Sequence, residues 1–201
     1  MTTTSTTTVR TVTPGDRTAV SRALSGAFYD DPVFRWIYPD ADRRRAALPG
    51  FFDLFGEAIG RHGSSLVVGD GLGAALWVPP GERVVDDHRA DAFGRAVLAL
   101  SPEDADRMHT CFEVMEAAHP TERCWYLNLL GVVAEHQGEG IGSAMLRVAL
   151  ARCDEAGEPA YLEATSEDNR RLYERHGFRV TRELPLPDGP SLWAMWRAPA
   201  V

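Results

Sequence analysis

The sequence predicts an α+β fold, a three-layer arrangement with a mixed central sheet of about seven strands flanked by helices. Three observations point there. The second half alternates apolar strand-like runs with helix-period segments, in the order strand, helix, strand, helix, strand, strand. Residues 124–133 (CWYLNLLGVV) form a near-continuous apolar run of the kind that fills the middle of a sheet. Turn signals at Asp70-Gly71 and at Pro187-Asp188-Gly189-Pro190 join neighbouring runs as hairpins. The length suits one domain over 9–201. The threonine-rich stretch 1–8 reads as a disordered tail, and it lacks the apolar core of a secretory signal.

The elements follow in order. Residues 9–12 suit a first strand. Thr13-Pro14-Gly15-Asp16 then opens a helix, with Thr13 as N-cap, Pro14 at the first helical position and Asp16 reaching back. Val20, Ala23, Leu24, Ala27 and Phe28 give that helix one apolar face. The aromatic segment 27–40 (AFYDDPVFRWIYPD), broken by two prolines, is a loop or short-helix region, and a second helix covers 43–61. Residues 64–70 and 72–79 are strands. Residues 86–119 are helical in two segments divided at Ser101-Pro102-Glu103-Asp104. After the strand at 124–133 come a glycine loop and a helix to 156–157 marked by Ile141, Met145, Val148 and Leu150. A strand at 160–165, a helix at 167–176, a strand at 178–186 and a closing strand at 192–197 complete the chain.

Composition narrows the function. A net charge of −8 argues against a broad basic surface for nucleic acid. No run approaches the roughly 18–20 apolar residues a membrane helix needs. Cys111, Cys124 and Cys153 show no CxxC pairing, which suits buried thiols in a reducing, cytoplasmic compartment. The six histidines lack metal-ligand spacing, so no metal site is expected.

The loop HQGEGIGSAML, residues 136–146, places three glycines in five positions between a strand and a helix. A Walker loop requires a lysine, and the chain contains none; all 21 basic residues are arginine. A dinucleotide fingerprint would need a glycine where Ser143 stands. The remaining pattern, Gln-x-x-Gly-x-Gly, is met by Gln137, Gly140 and Gly142. Glycines there let the backbone approach a ligand, and successive N–H groups at a helix N-terminus suit a pyrophosphate. A tight turn without a ligand is the alternative.

With LYERHGF at 172–178 following in order, the sequence resembles the GCN5-related N-acetyltransferase (GNAT) superfamily. Over nearly its full length the layout is similar to the branch that includes puromycin N-acetyltransferase, through WVPP at 77–80, HPTERCWYLNLLGVVAEHQGEGIGSAML, PAYLEATSEDNRRLYERHGF and LPDGPSLWAMWRAP. The resemblance implies a sheet splayed at its central strand, acetyl-CoA as co-substrate, no metal, and acetyl transfer to an amine. It places the pyrophosphate on Gln137, Gly138, Glu139, Gly140, Ile141, Gly142 and Ser143, and the pantetheine arm along Leu130, Gly131 and Val132. Gly131 could equally be a packing glycine. The amide of Val132 or Val133 would serve as oxyanion donor. Tyr173 matches the family's general acid, or is a tyrosine that merely packs on the cofactor, and Asn169, one turn earlier, faces the cofactor or is an exposed cap-region amide.

The family often carries an acidic residue on the central strand. Here Tyr126, Asn128 and Leu130 are read on one face of it, with no carboxylate between 124 and 133. Glu163 and His119 are the candidate bases; a strand carboxylate can instead pair with an arginine, and a histidine before Pro120 can be a structural corner. Phe28, Tyr29, Phe34, Trp36, Tyr38 and Trp77, with Tyr126 and Asn128, are placed around the acceptor pocket, and about half are expected to be core. Asp30 and Asp31 could attract a cationic amine or form a solvated turn. The expected acceptor is the primary amine of a small, metabolite- or antibiotic-like molecule. A protein amine, or a non-catalytic acetyl-CoA-binding subunit, remain alternatives, and a homodimer stays open.

Overall fold

A computed structural model describes residues 8–200, so nearly all of the threonine-rich tail lies outside the described residues. The elements are β1 (Val9–Thr11), α1 (Arg17–Phe28), α2 (Pro32–Ile37), α3 (Ala41–Gly60), β2 (Leu66–Val68), β3 (Gly73–Val78), α4 (Asp87–Leu98), α5 (Ala105–Glu116), β4 (Trp125–Val132), α6 (Ile141–Ala156), β5 (Ala160–Ala164), α7 (Glu167–Arg175), β6 (Arg179–Pro185) and β7 (Ser191–Arg197). Local signals set several boundaries. Asp16 Oδ2 accepts from Thr13 N at 2.8 Å, closing the box expected before α1. Gly157, left-handed at φ 65°, ends α6.

The seven strands form one sheet in the order β1-β2-β3-β4-β5-β7-β6. All neighbours are antiparallel except β4 and β5. That parallel pair is short. Its register runs only from Trp125 against Ala160 to Leu127 against Leu162, after which the strands part. Beyond Leu127, β4 therefore has no partner on its β5 side, while its other edge stays paired to β3 as far as Val132.

β4 also carries a bulge. Leu76 faces Leu129 while Trp77 faces Leu127, so Asn128 is the extra residue. The bulge corrects the simple alternation read from the sequence. Tyr126 and Leu129 share one face, and Leu130 goes to the other instead of joining Tyr126.

Two apolar clusters sandwich the sheet. On one face α1–α5 bury Phe28, Phe34, Phe51, Phe52 and Phe55, whose neighbouring rings lie 4.5–5.5 Å apart. On the other, α6 and α7 cover Trp77, Leu127, Met145, Leu162 and Tyr173. Among the described residues no helix is long and apolar enough to cross a membrane. None of their His, Cys, Asp and Glu side chains are grouped to hold a metal ion.

Candidate active site

The parting of β4 from β5 opens a cleft of about 430 Å³ between the C-terminal end of α1, the free edge of β4, the glycine loop and α7. Leu130, Gly131 and Val132 form one wall, Gln137, Gly138, Gly140, Ile141, Gly142 and Ser143 the floor, and Asn169 stands opposite. Ala27, Phe28, Asp31, His136, Asp168, Leu172 and Arg175 complete it. Of this last group, the sequence marks Phe28 and Asp31 as candidate acceptor-site residues, and His136, Leu172 and Arg175 fall within the loop and LYERHGF motifs.

The floor is a backbone device. Gly138 and Gly140 both hold φ 81°, a conformation that side chains with a Cβ rarely adopt, and a Cβ built on either meets nothing within 4 Å. Gly140 caps α6 with no side-chain hydrogen bond to its first turn. The leading N–H groups of that helix thus lack intrahelical partners, at the end where the helix dipole is positive. Gln137 braces the loop by donating Nε2 to Val132 O at 3.1 Å, and Glu139 pairs with His136 Nδ1 at 3.0 Å.

On the wall, Val133 N donates to Leu72 O at 2.9 Å, so its amide is already taken and cannot be the oxyanion donor. By the alternation of an antiparallel ladder, Leu130 and Val132 turn their N–H groups the other way, into the gap. Gly131 is glycine for a packing reason. An added Cβ would stand 2.7 Å from Ala27 Cβ and 3.0 Å from Leu24 Cδ2, so α1 rests directly on the strand.

Tyr173 is 5% exposed and lies under α7 in the apolar cluster, 6.0 Å from the ring of Phe178. Leu172 and Arg175 of the same helix, rather than Tyr173, line the cleft. Burial first, and the charge of Asp31 second, hold the Tyr173 proton more tightly than in an ordinary phenol.

The candidate bases separate clearly. Glu163, on β5 just past its last pairing with β4, accepts from the Tyr126 hydroxyl at 2.8 Å through Oε2. Its other oxygen, Oε1, is shut off from water without a hydrogen-bond partner. Burial raises its pKa to about 7, partly opposed by the phenols of Tyr126 and Tyr161. Asn128 sits against the same Tyr126 hydroxyl, and its Oδ1 is likewise buried and unpartnered. His119 is exposed and does not line the cleft; its ring is 4.8 Å from Tyr126 and 5.2 Å from Tyr161, with a pKa lowered chiefly by desolvation.

Asp31 is not a solvated turn. It is 8% exposed and caps α2, accepting from Val33 N at 2.9 Å and Phe34 N at 3.2 Å. Its other oxygen accepts from the Thr165 hydroxyl, to which Asn169 Nδ2 also points at 3.5 Å. Burial lifts its pKa to about 6 against these donors. The Asp-Pro pair at 31–32 was a legible helix-start signal; its bridge to Thr165, 134 positions away, was not.

The aromatics divide. Phe28 touches the cleft. Phe34 and Tyr38 are core. Tyr29 lies under the guanidinium groups of Arg44 and Arg45. Trp36 packs toward the β6–β7 turn, its Nε1 donating to Pro187 O at 3.1 Å. Trp77, 1% exposed, belongs to the core beneath α6 on the opposite face of the sheet, and is not a pocket residue.

This arrangement has known counterparts. Residues 105–180 match the acetyltransferase (GNAT) domain. A solved protein of Corynebacterium glutamicum, described as histone acetyltransferase HPA2 and related acetyltransferase, is 31% identical over 97% of both chains, with a TM-score of 0.71. An uncharacterised N-acetyltransferase of Schizosaccharomyces pombe is 27% identical over 182 residues, 85% of this chain and 74% of the relative. Arylalkylamine N-acetyltransferase 2 of Aedes aegypti shares the fold at 13% identity, with a TM-score of 0.69 over 96% of this chain and 99% of its own. The chain belongs to the GNAT family and is an acetyltransferase. GNAT enzymes use acetyl-CoA.

Proposed function

We propose that this enzyme moves the acetyl group of acetyl-CoA to the primary amine of a small molecule. One observation carries the reading: the uncapped N-terminus of α6 and the free edge of β4 open on the same cleft, which Asp31 also lines. The fit to coenzyme A rests on the chain's own groups. The first-turn amides at 138–143 suit a diphosphate, with His136 and Arg175 at the rim. The inward N–H groups of Leu130 and Val132 suit an extended amide-bearing arm.

Acetyl-CoA supplies an activated acyl group: a C–N bond forms to the amine, the C–S bond breaks, and the thiol is released. Glu163 receives the proton the amine loses, at Oε1, while Tyr126 holds Oε2. The Val132 amide faces developing negative charge in the gap. Tyr173 stays protonated at neutral pH behind the wall that Leu172 and Arg175 form, and a role as proton donor to the departing sulfur requires its hydroxyl to reach into the cleft. Leu172 and Phe28 exclude water from the walls.

The relative described as a histone acetyltransferase makes a peptide amine the second reading. The inaccessibility of Glu163 Oε1 and Asn128 Oδ1 favours a slender small-molecule amine over a surface-bound tail. Free-thiol release from acetyl-CoA, run against a panel of small amines and a panel of peptides, tests the choice. Turnover with small amines is expected; turnover confined to peptides, or none, overturns the reading.

A further inference from the structure

Resting on that reading, we infer that Phe28 sets the length of the acyl group the enzyme transfers: its ring ends the coenzyme slot at the size of an acetyl group and keeps longer chains out of the space behind it. The cleft is graded in exposure. Gln137, Gly138 and Gly140 at the glycine loop are exposed, whereas Phe28, Asp31 and Gly131 at the α1 end are buried. A coenzyme whose diphosphate lies on the loop and whose arm follows the free edge of β4 therefore turns its acyl end toward the buried side.

Phe28 closes that side. Its Cε2 would stand 3.4 Å from a Cβ on Gly131, so the ring edge reaches the strand itself. Behind it the ring centroid lies 5.4 Å from that of Phe34 and 5.3 Å from that of Phe52, in the aromatic cluster under α1–α5. Ala27 beside it adds only a methyl group to this wall. The other apolar side chains of the cleft, Leu130, Val132, Ile141 and Leu172, pack with the cluster on the opposite face of the sheet. The Phe28 ring is thus what separates the slot from the apolar interior.

A longer chain gains nothing by turning the other way. The neighbouring group at the buried end is the Asp31 carboxylate, which accepts from Thr165, and an alkyl chain offers it no donor in exchange for lost water. One methylene too many for a closed apolar site is refused by roughly 10–200-fold. A methylene that finds apolar room contributes about fourfold instead. The side chain at position 28 decides which of the two applies.

The test compares acetyl-CoA with butyryl-CoA as donors for the intact enzyme, read as free thiol, with the fastest acceptor from the amine and peptide panels. In the wild type, kcat/KM for butyryl-CoA is expected to lie below that for acetyl-CoA on the order of 30-fold or more. Phe28→Ala gives two methylenes room and should raise the butyryl-to-acetyl ratio by about 15-fold. Leu172→Ala enlarges the cleft beside the loop, where Leu172 Cδ2 stands 3.6 Å from a Cβ on Gly142, and should leave the ratio unchanged. The ratio is internal to each preparation, so partial misfolding cancels. Phe28→Leu, which stays apolar and fills less of the wall, shifts the ratio in the same direction and serves where the alanine variant does not fold. Equal use of both donors by the wild type, an unchanged ratio in the Phe28 variants, or an equal shift in Leu172→Ala overturns the assignment to Phe28 and leaves acetyl transfer standing. Turnover confined to peptides overturns the small-amine reading alone, since the donor comparison is then made with a peptide. Absence of thiol release with every acceptor overturns the reading beneath, and this one with it.

Discussion

The Tyr126 hydroxyl on β4 donates to Glu163 Oε2 on β5 at 2.8 Å, just past the last residues that pair these two strands. The contact spans the mouth of the split and favours the ionised carboxylate, while burial opposes it; the balance stands at about pH 7. If Glu163 is the base, kcat/KM rises with pH through that region. Tyr126→Phe removes a donor to the charged form, so the midpoint should move upward by about one unit. The rate loss should be marked at pH 7 and largely recovered near pH 9. His119 would give a different result: its pKa is lowered from 6.5, so a limb due to it lies at more acid pH and does not move with Tyr126. An unshifted midpoint in Tyr126→Phe removes Glu163 from the role.

The same carboxylate weakens the fold as it ionises. Its folded pKa of about 7 lies above the ordinary 4.5, so the stability it contributes is fully present below pH 4.5 and is lost as pH rises through 7. Glu163→Gln has no proton to lose. Relative to wild type, its unfolding free energy should gain about 3 kcal/mol between pH 4.5 and pH 8, while acetylation falls by at least a hundredfold. Denaturant unfolding at the two pH values measures the first, and thiol release the second. Equal pH dependence of the two proteins would show that Glu163 is not desolvated as described.

Much of this architecture was legible in the sequence, and what was not has physical reasons. The box at Thr13 and Asp16, the hairpin turn at Asp70-Gly71 and the glycine end of α6 at Gly157 are local devices, and each stands where its residues predict. The bulge at Asn128 left no trace, because the apolar run around it has no polar alternation to interrupt. The Asp31–Thr165 bridge and the core position of Trp77 depend on which face of the sheet each helix covers, and that is decided by residues far away in the chain. The central strand carries no carboxylate, but Glu163 of the next strand, β5, reaches the Tyr126 side chain of β4, and it is from there that it is proposed to act as base.

Gly131 separates packing from binding. A methyl group there would press on Ala27 and Leu24 of α1, and cores resist such overpacking by about 1–3 kcal/mol. Gly131→Ala should lower the melting temperature and, by displacing α1, also reduce turnover. Thermal unfolding without ligand checks the first part. A variant as stable as wild type would mean that α1 does not rest on β4 as the structure has it.

The loop makes the sharpest demand on the backbone, and α6 provides its own control. Gly140 at one end of the helix and Gly157 at the other are both left-handed, at φ 81° and 65°, and a Cβ on either meets no protein atom within 4 Å. A valine at either position therefore carries similar strain, about 1–3 kcal/mol, without a steric clash. Only Gly140 lies on the cleft floor. Gly140→Val should weaken coenzyme A binding by about 100-fold or more, because the β-branched side chain disturbs the amides that would face the diphosphate. Gly157→Val should lose comparable stability and keep its affinity. Isothermal titration of both variants with coenzyme A, beside their unfolding curves, separates the local effect from the global one. Equal affinity in the two would detach the glycine loop from coenzyme binding.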